Sequence, residues 1–424
     1  VTSYQYHTFA NGLRLVHLHT SSPVVYAGIM VGVGTRDESP RENGMAHYIE
    51  HCIFKGSLTQ KGSTFVPRSN QQIIHRIEDV GGEVNAYTTK EETVFYAATP
   101  VAYVQRTLHL LLDLVFRPTF PKEETDKEVE VILDEIESYN DSPSELIYDD
   151  FENLIFASHP LAQPILGTRK SLRHICQSPR LALQFMHRLY QPQRMVVFTQ
   201  GCLSFERVVR ILDGLLEHNE MTYSDFPSET TSRVPFVPQK KENHTVSYHK
   251  HTHQIHLMLG NRAFPLGHTY QLPLYLLNNI IGGGAMSSRL NMSLREQKGL
   301  VYTVESQYTP LSDAGYWCTY LACDPEDKNR CLDLVYNELQ QLVSEPLTHQ
   351  QLAQAMRQLR GQMAISAENT ENNALAMAKQ MLYFGQAYSW QQTYERMLTI
   401  TPEDIQFAAQ QVLDTTQLFL LSYE

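Results

Sequence analysis

No apolar run in this chain approaches the roughly 18–20 residues that a membrane-crossing helix needs, so no membrane span is expected. Cysteine is scarce and scattered: the six at 52, 176, 202, 318, 323 and 331 form no CxxC pair and no compact framework. That excludes a disulfide-built scaffold and points to a reducing compartment. Val1 to Arg14 is polar and carries no signal-peptide core. A cytoplasmic location is therefore the expectation, with an exported or organellar mature chain left open. Positive charge is also in deficit. Thirty-four Lys and Arg stand against 46 Asp and Glu, a formal net charge of −12, which argues against nucleic acid or an anionic membrane as partner. It is compatible with positively charged peptides.

The 424 residues, 42% of them hydrophobic and 19% charged, suit a soluble globular chain of two or three domains. Leu13 to His19 alternates like a half-buried strand, and Val24 to Val33 is a second strand-like run. A helix is expected from about Glu42 to Phe54, started by Ser39-Pro40 and stopped by Gly56. Residues 219–243 are rich in Ser, Thr, Pro and charge with little periodicity, which reads as a linker. After it the pattern restarts. His253 to Gly260 echoes Val25 to Gly32, a helix from Leu272 to Ile281 takes the place of the first early helix, and toward the end of each half a long helical stretch follows a proline, Lys122 to Asn140 and Thr348 to Ser366. The expectation is an α+β fold with two similar domains, residues 1–218 and 244–424, each a mainly antiparallel sheet packed with helices. The second half has no His-Glu pair on its early helix, so the chemistry is placed in the first.

That chemistry centres on Met45-Ala-His-Tyr-Ile-Glu-His-Cys-Ile53. On a helix, His47 and His51 lie one turn apart on one face, while Met45, Ile49 and Ile53 form an apolar stripe that can enter a core. Imidazoles at i and i+4 can reach one zinc ion. Glu50, beside that face, is placed to take a proton from water at the metal. The competing reading is two surface histidines on an amphipathic helix. A third protein ligand is required, and Glu128 and Glu135 lie seven residues apart on one face of the stretch 122–140; spacing alone does not choose between them. Glu124, Glu130 and Glu137 read as its solvated face.

Five segments carry a resemblance over essentially the whole chain: Gly44 to Gly56, Gly81-Gly-Glu-Val-Asn-Ala-Tyr-Thr88, Glu128-Val-Glu-Val-Ile-Leu-Asp-Glu135, Gly282-Gly-Gly-Ala-Met-Ser-Ser-Arg-Leu290 and Leu294-Arg-Glu-Gln-Lys-Gly-Leu-Val-Tyr302. The first holds the inverted form of the HExxH motif. Together they resemble the insulinase/pitrilysin family, and within it the short-chain branch of the mitochondrial processing peptidases. The resemblance implies one zinc ion per chain, held by His47, His51 and Glu135, with Glu128 in a supporting role. The separation from His51 to Glu135, 135 − 51 = 84 residues, is longer than is usual in the family, and the extra residues fall between Ser57 and Pro67.

The resemblance also implies a substrate-binding edge strand at Asn85, Ala86, Tyr87 and Thr88, where an extended peptide adds by main-chain hydrogen bonds. Tyr302 would donate to the oxyanion and Arg295 would grip the substrate backbone. Glu145 and Asp149 match positions that recognise arginine near the scissile bond. Against that, Ser142-Pro-Ser-Glu145 has the form of a capping box, so Glu145 can equally be a helix cap. The implied function is a zinc endopeptidase for peptides or unfolded segments, enclosed in a chamber of four domains. A chain of this length supplies two, as half of a clamshell with 219–243 as hinge, so a homodimer or a heterodimer with a related inactive chain is implied. The rival is a non-catalytic relative serving as scaffold or partner subunit. Such relatives lose motif residues, and here all are present.

Overall fold

The computed structural model describes residues 3–217, 233–237, 244–250 and 252–424. They divide into two compact units, and neither is one continuous stretch. The first comprises Val1–Ile136, Gln163–Arg233 and Ser366–Ser389; the second comprises Glu137–Ala162, Val234–Ile365 and Trp390–Glu424.

The first unit is built on strands β1 (Tyr4–Thr8), β2 (Arg14–His19), β3 (Val24–Val31), β6 (Glu83–Thr88), β7 (Thr93–Pro100) and β8 (Met195–Gly201), with β4 (Gly56–Lys61) and β5 (Thr64–Ser69) forming a separate hairpin. The six-stranded sheet runs β1-β2-β8-β3-β7-β6, and β2 with β8 is its one parallel pair among the described residues. Strand β8 is buried along its whole length, so both faces of the sheet must be covered. On one face Ile29, Phe95 and Val197 meet the helix Val104–Phe116 and its neighbours. On the other, Met30, Val94, Tyr96 and Phe198 pack against Ala374, Met377 and Met381 of the helix Thr370–Phe384.

The second unit has strands β9 (Thr245–Tyr248), β10 (Ile255–Arg262), β11 (Val301–Pro310), β12 (Gly315–Cys323) and β13 (Phe419–Tyr423), in the order β11-β12-β10-β13-β9. Read from the other edge, β9-β13-β10-β12-β11 repeats β2-β8-β3-β7-β6, and the parallel pair β9 with β13 recurs where β2 with β8 stood. This is the duplication expected from the restart of the pattern, in an α+β fold of sheets packed with helices. One face of this sheet carries Leu257, Trp317 and Leu321 against helices of the second half. The other packs Met258, Cys318 and Leu421 against Ile147, Phe151 and Ile155 of the helix Pro143–Phe156.

Each sheet is thus covered on one face by a helix encoded in the other half of the sequence. A contiguous division at the linker assigns those two helices by chain position; the units assign them by the apolar faces they bury. Residues 219–232 and 238–243 of the expected linker lie outside the described residues. Arg233, at the end of the first unit, pairs with Asp37 at 3.0 Å and Glu91 at 3.3 Å. All six cysteines are free, and no described helix is long and apolar enough to cross a membrane.

Candidate metal centre

The ligand helix spans Met45–Cys52, shorter at both ends than the expected 42–54. Ser39-Pro40 does not start it. Gly44 does, with φ +89, a conformation that favours glycine. A side chain there would also meet Gly167 Cα and Leu166 O at 2.9 Å. The helix tightens into a 3-10 turn, Ile53–Lys55, and Gly56 then opens β4. Met45, Ile49 and Ile53 are buried, as the apolar stripe predicts. The extra residues after Lys55 form the β4–β5 hairpin, turned at Gly62, with Arg68 bonded to Asp113 and Thr59.

The acidic helix spans Lys122–Asn140, as expected, with Val129, Ile132 and Leu133 buried. That burial aims Glu128 and Glu135 at the ligand helix. Glu135 Oε2 lies 3.7 Å from His47 Nε2 and 3.5 Å from His51 Nε2. One ligand atom from each residue falls within 4.8 Å of the others. Four ligands bound tetrahedrally to zinc at about 2.0–2.1 Å sit about 3.4 Å apart, so the donor set and its spacing fit that ion. It is the one such group among the described residues.

Glu128 lies behind the His51 ring. Its Oε2 is 3.3 Å from His51 Nδ1 and its Oε1 2.7 Å from Lys55 Nζ. Accepting from Nδ1–H leaves the Nε2 lone pair of His51 facing Glu135. His47 Nδ1 is buried with no hydrogen-bond partner among the described residues, so no carboxylate fixes its tautomer. Glu50 is held from the side: Thr88 Oγ1 donates to its Oε2 at 2.6 Å.

The charges follow from these surroundings. Burial, reinforced by His51 and opposed by Glu135, lowers the His47 pKa to about 4, so the ring stays neutral and ligand-competent. Burial also pulls His51 down, but the Glu135 and Glu128 carboxylates outweigh it and its pKa is raised. The hydrogen bond from His51 is the main reason the Glu135 pKa is lowered. Burial raises Glu50, against the pull of the Thr88 hydroxyl. A carboxyl group with a raised pKa is a stronger base than a free one, which suits proton abstraction.

Strand β6 is the edge of the first sheet, so Asn85, Ala86, Tyr87 and Thr88 lie on an edge strand as expected. Arg295, Tyr302, Glu145 and Asp149 belong to the second unit. Arg295 stacks over the Tyr302 ring at 5.6 Å, and Tyr302 is 82% exposed. A cavity of about 490 Å³ in this unit is lined by Tyr139, Glu145, Tyr148, His256, Tyr302 and Glu305; Asp149 is not among its walls. The capping box at Ser142 does not form. The Ser142 side chain makes no cap bond, although Pro143 occupies the first turn as expected. Sequence reasoning missed Lys55 and Glu38. Lys55 stands four residues after His51, a spacing that could have found it; Glu38 precedes the helix and left no periodic signal.

Residues 14–169 match the family model described as Insulinase (Peptidase family M16), and residues 181–359 the one described as Peptidase M16 inactive domain. The chain is 30% identical over 410 residues to the uncharacterized zinc protease YmxG of Bacillus subtilis, covering 96% of this chain and 95% of that protein. It is 30% identical over 408 residues to an uncharacterized zinc protease of Streptomyces coelicolor, covering 96% and 86%. Among solved structures, a protease from Helicobacter pylori superposes with a TM-score of 0.87 at 19% identity over 100% of both chains. A peptidase M16 inactive domain from Pseudomonas fluorescens gives 0.86 at 19% identity, covering 99% of this chain and 97% of that one. At that identity the two structures speak to the fold.

Proposed function

The chain belongs to the insulinase family of peptidases, family M16, and from that premise we propose that it is a zinc endopeptidase acting on peptides or unfolded segments. The observation that carries the proposal is the convergence of His47, His51 and Glu135 with Glu50 beside them but outside the ligand set. His47 Nε2, His51 Nε2 and a Glu135 oxygen would hold the ion. Zinc, when bound, supplies a Lewis acid for the scissile carbonyl and makes water more acidic. Glu50 accepts the proton of the attacking water on its carboxylate and returns it to the departing amine. Thr88 holds Glu50 in place. Glu128 fixes the tautomer of His51, and Lys55 balances its charge. The edge of β6 offers main-chain donors and acceptors to an extended substrate, which explains a preference for unfolded chain.

The remaining assignments rest on the family resemblance. Tyr302 donates to the oxyanion, Arg295 grips the substrate backbone, and Glu145 with Asp149 favours Arg or Lys near the cut. Enclosure of substrate requires a second copy or a related inactive chain, and the scattered free thiols suit the cytoplasm. Metal analysis combined with cleavage of a quenched peptide library tests the reading. One zinc per chain with endoproteolytic cleavage is expected. A chain that takes up zinc but cuts no peptide would return the assignment to the scaffold alternative.

A further inference from the structure

The ligand helix has only eight residues and begins at a glycine, which has no side chain to cap it. The first N–H groups of a helix have no intrahelical acceptor, and a short helix frays when they go unmet. Here they are met from outside. Glu38, 4% exposed, places its Oε2 2.8 Å from Gly44 N and 3.2 Å from Asn43 Nδ2, and its Oε1 2.7 Å from Ala46 N. Both carboxyl oxygens therefore act as acceptors. Asn43 Nδ2 also donates to Pro164 O at 3.0 Å, and Gln163 Nε2 donates to Glu38 O at 3.2 Å, so the cap is held from a second segment.

The residues before Glu38 are anchored as firmly. Arg36 pairs with Glu91 at 2.7 Å, and Asp37 with Arg194 at 2.7 Å and Arg233 at 3.0 Å. Thr35 N and Arg36 N donate to Thr89 O and Lys90 O at 3.3 and 2.8 Å. That turn continues directly from Thr88, which holds Glu50. His47 is only the third residue of its helix and lies inside the turn that Glu38 caps.

We propose that Glu38 is a positioning residue of the metal centre, acting through the backbone of Gly44 and Ala46 to hold His47 at the height of His51 and Glu135. The inference rests on the metal reading above. Groups that orient metal ligands typically govern affinity by about 10–100-fold. In Glu38→Gln one oxygen becomes an NH2 group, which cannot accept, so either Ala46 N or the Gly44 and Asn43 pair loses its partner.

The test is zinc affinity by chelator competition, at a temperature where circular dichroism shows wild-type content, with amide hydrogen exchange at Gly44 and Ala46 read on the same samples. E38Q is expected to bind zinc at least about tenfold more weakly and to exchange those amides faster. A purely structural role would lower the melting temperature of the metal-free chain and leave zinc affinity of the folded chain unchanged. E38Q within twofold of wild type overturns the role of Glu38 alone; wild type that takes up no zinc overturns the metal reading and this role with it. If E38Q does not fold, Glu38→Asp is read in the same way, because its side chain keeps the carboxyl group but is one methylene short of bridging both amides.

Discussion

Truncating Glu128 to alanine tests how the ligand geometry is held. The side chain is 15% exposed and makes two contacts, with His51 Nδ1 at 3.3 Å and Lys55 Nζ at 2.7 Å. It cannot be replaced by water without freeing the His51 ring, because it fixes both which nitrogen is protonated and which way the ring faces. A tenfold change in affinity is about 1.4 kcal/mol. Loss of a carboxylate behind a ligating histidine typically costs about 10–100-fold, or about 1.4–2.8 kcal/mol. E128A should fall toward the upper end, because Lys55 is left beside the site without its partner. E128Q keeps an acceptor for Nδ1–H and should lose about tenfold or less. The pH dependence has a definite sign. Metal-free His51 has a raised pKa, with Glu128 among the groups that raise it. Removing Glu128 makes that proton easier to displace, which partly offsets the lost orientation at low pH. The deficit in zinc affinity should therefore be larger at pH 8 than at pH 6. Chelator competition at both values measures it. Affinity of E128A within twofold of wild type at pH 8 would refute the argument, and so would a deficit that grows as pH falls.

Other consequences can be checked independently. Thr88→Val removes the hydroxyl that lowers the Glu50 pKa, so the acid limb of the kcat/KM profile should move to higher pH with little change in the plateau; an unmoved limb contradicts the contact. Residues 1–218 alone leave Met30, Val94, Tyr96, Val196 and Phe198 without the helix Thr370–Phe384, so that fragment should aggregate or bind a hydrophobic dye, and fusing 366–389 to it should reduce both. A monodisperse, dye-free fragment would refute the exchanged-helix account. Tyr302→Phe should lower kcat more than it changes KM, since an oxyanion donor acts in the transition state; unchanged kcat passes that role to another donor.

The His47, His51 and Glu135 cluster was legible in part because helical spacing is a local property. The i, i+4 histidines and the glutamates seven apart need no tertiary knowledge to be put on one face. What spacing left open was the choice between Glu128 and Glu135. Packing separates the two: Val129, Ile132 and Leu133 set the rotation of the acidic helix, and Glu135 faces both Nε2 atoms while Glu128 sits behind His51. The duplication was legible as a restart of pattern, and the shared strand order follows from it. The exchange of helices was not. An amphipathic helix shows that it must bury a face, not which sheet it buries it against, and Ala374, Met377 and Met381 suit either sheet by composition. Glu38 was hidden for a related reason. Acidic residues near a helix start usually read as solvated, and Glu38 caps from six residues before Gly44, not from the N-cap position. At Ser142-Pro-Ser-Glu145 the local motif was present, but the Ser142 side chain makes no cap bond.

The central claim is that Glu50 is the base of a zinc peptidase and not a ligand, and Glu50→Gln tests it most directly. The glutamine keeps the shape of the side chain but cannot take a proton from water. Zinc content and cleavage of one extended peptide would be measured on the same preparations of both proteins. The account predicts one zinc per chain in each, with turnover of E50Q lower by at least about 10²-fold. E50Q that retains zinc and cleaves within a few-fold of wild type would contradict it.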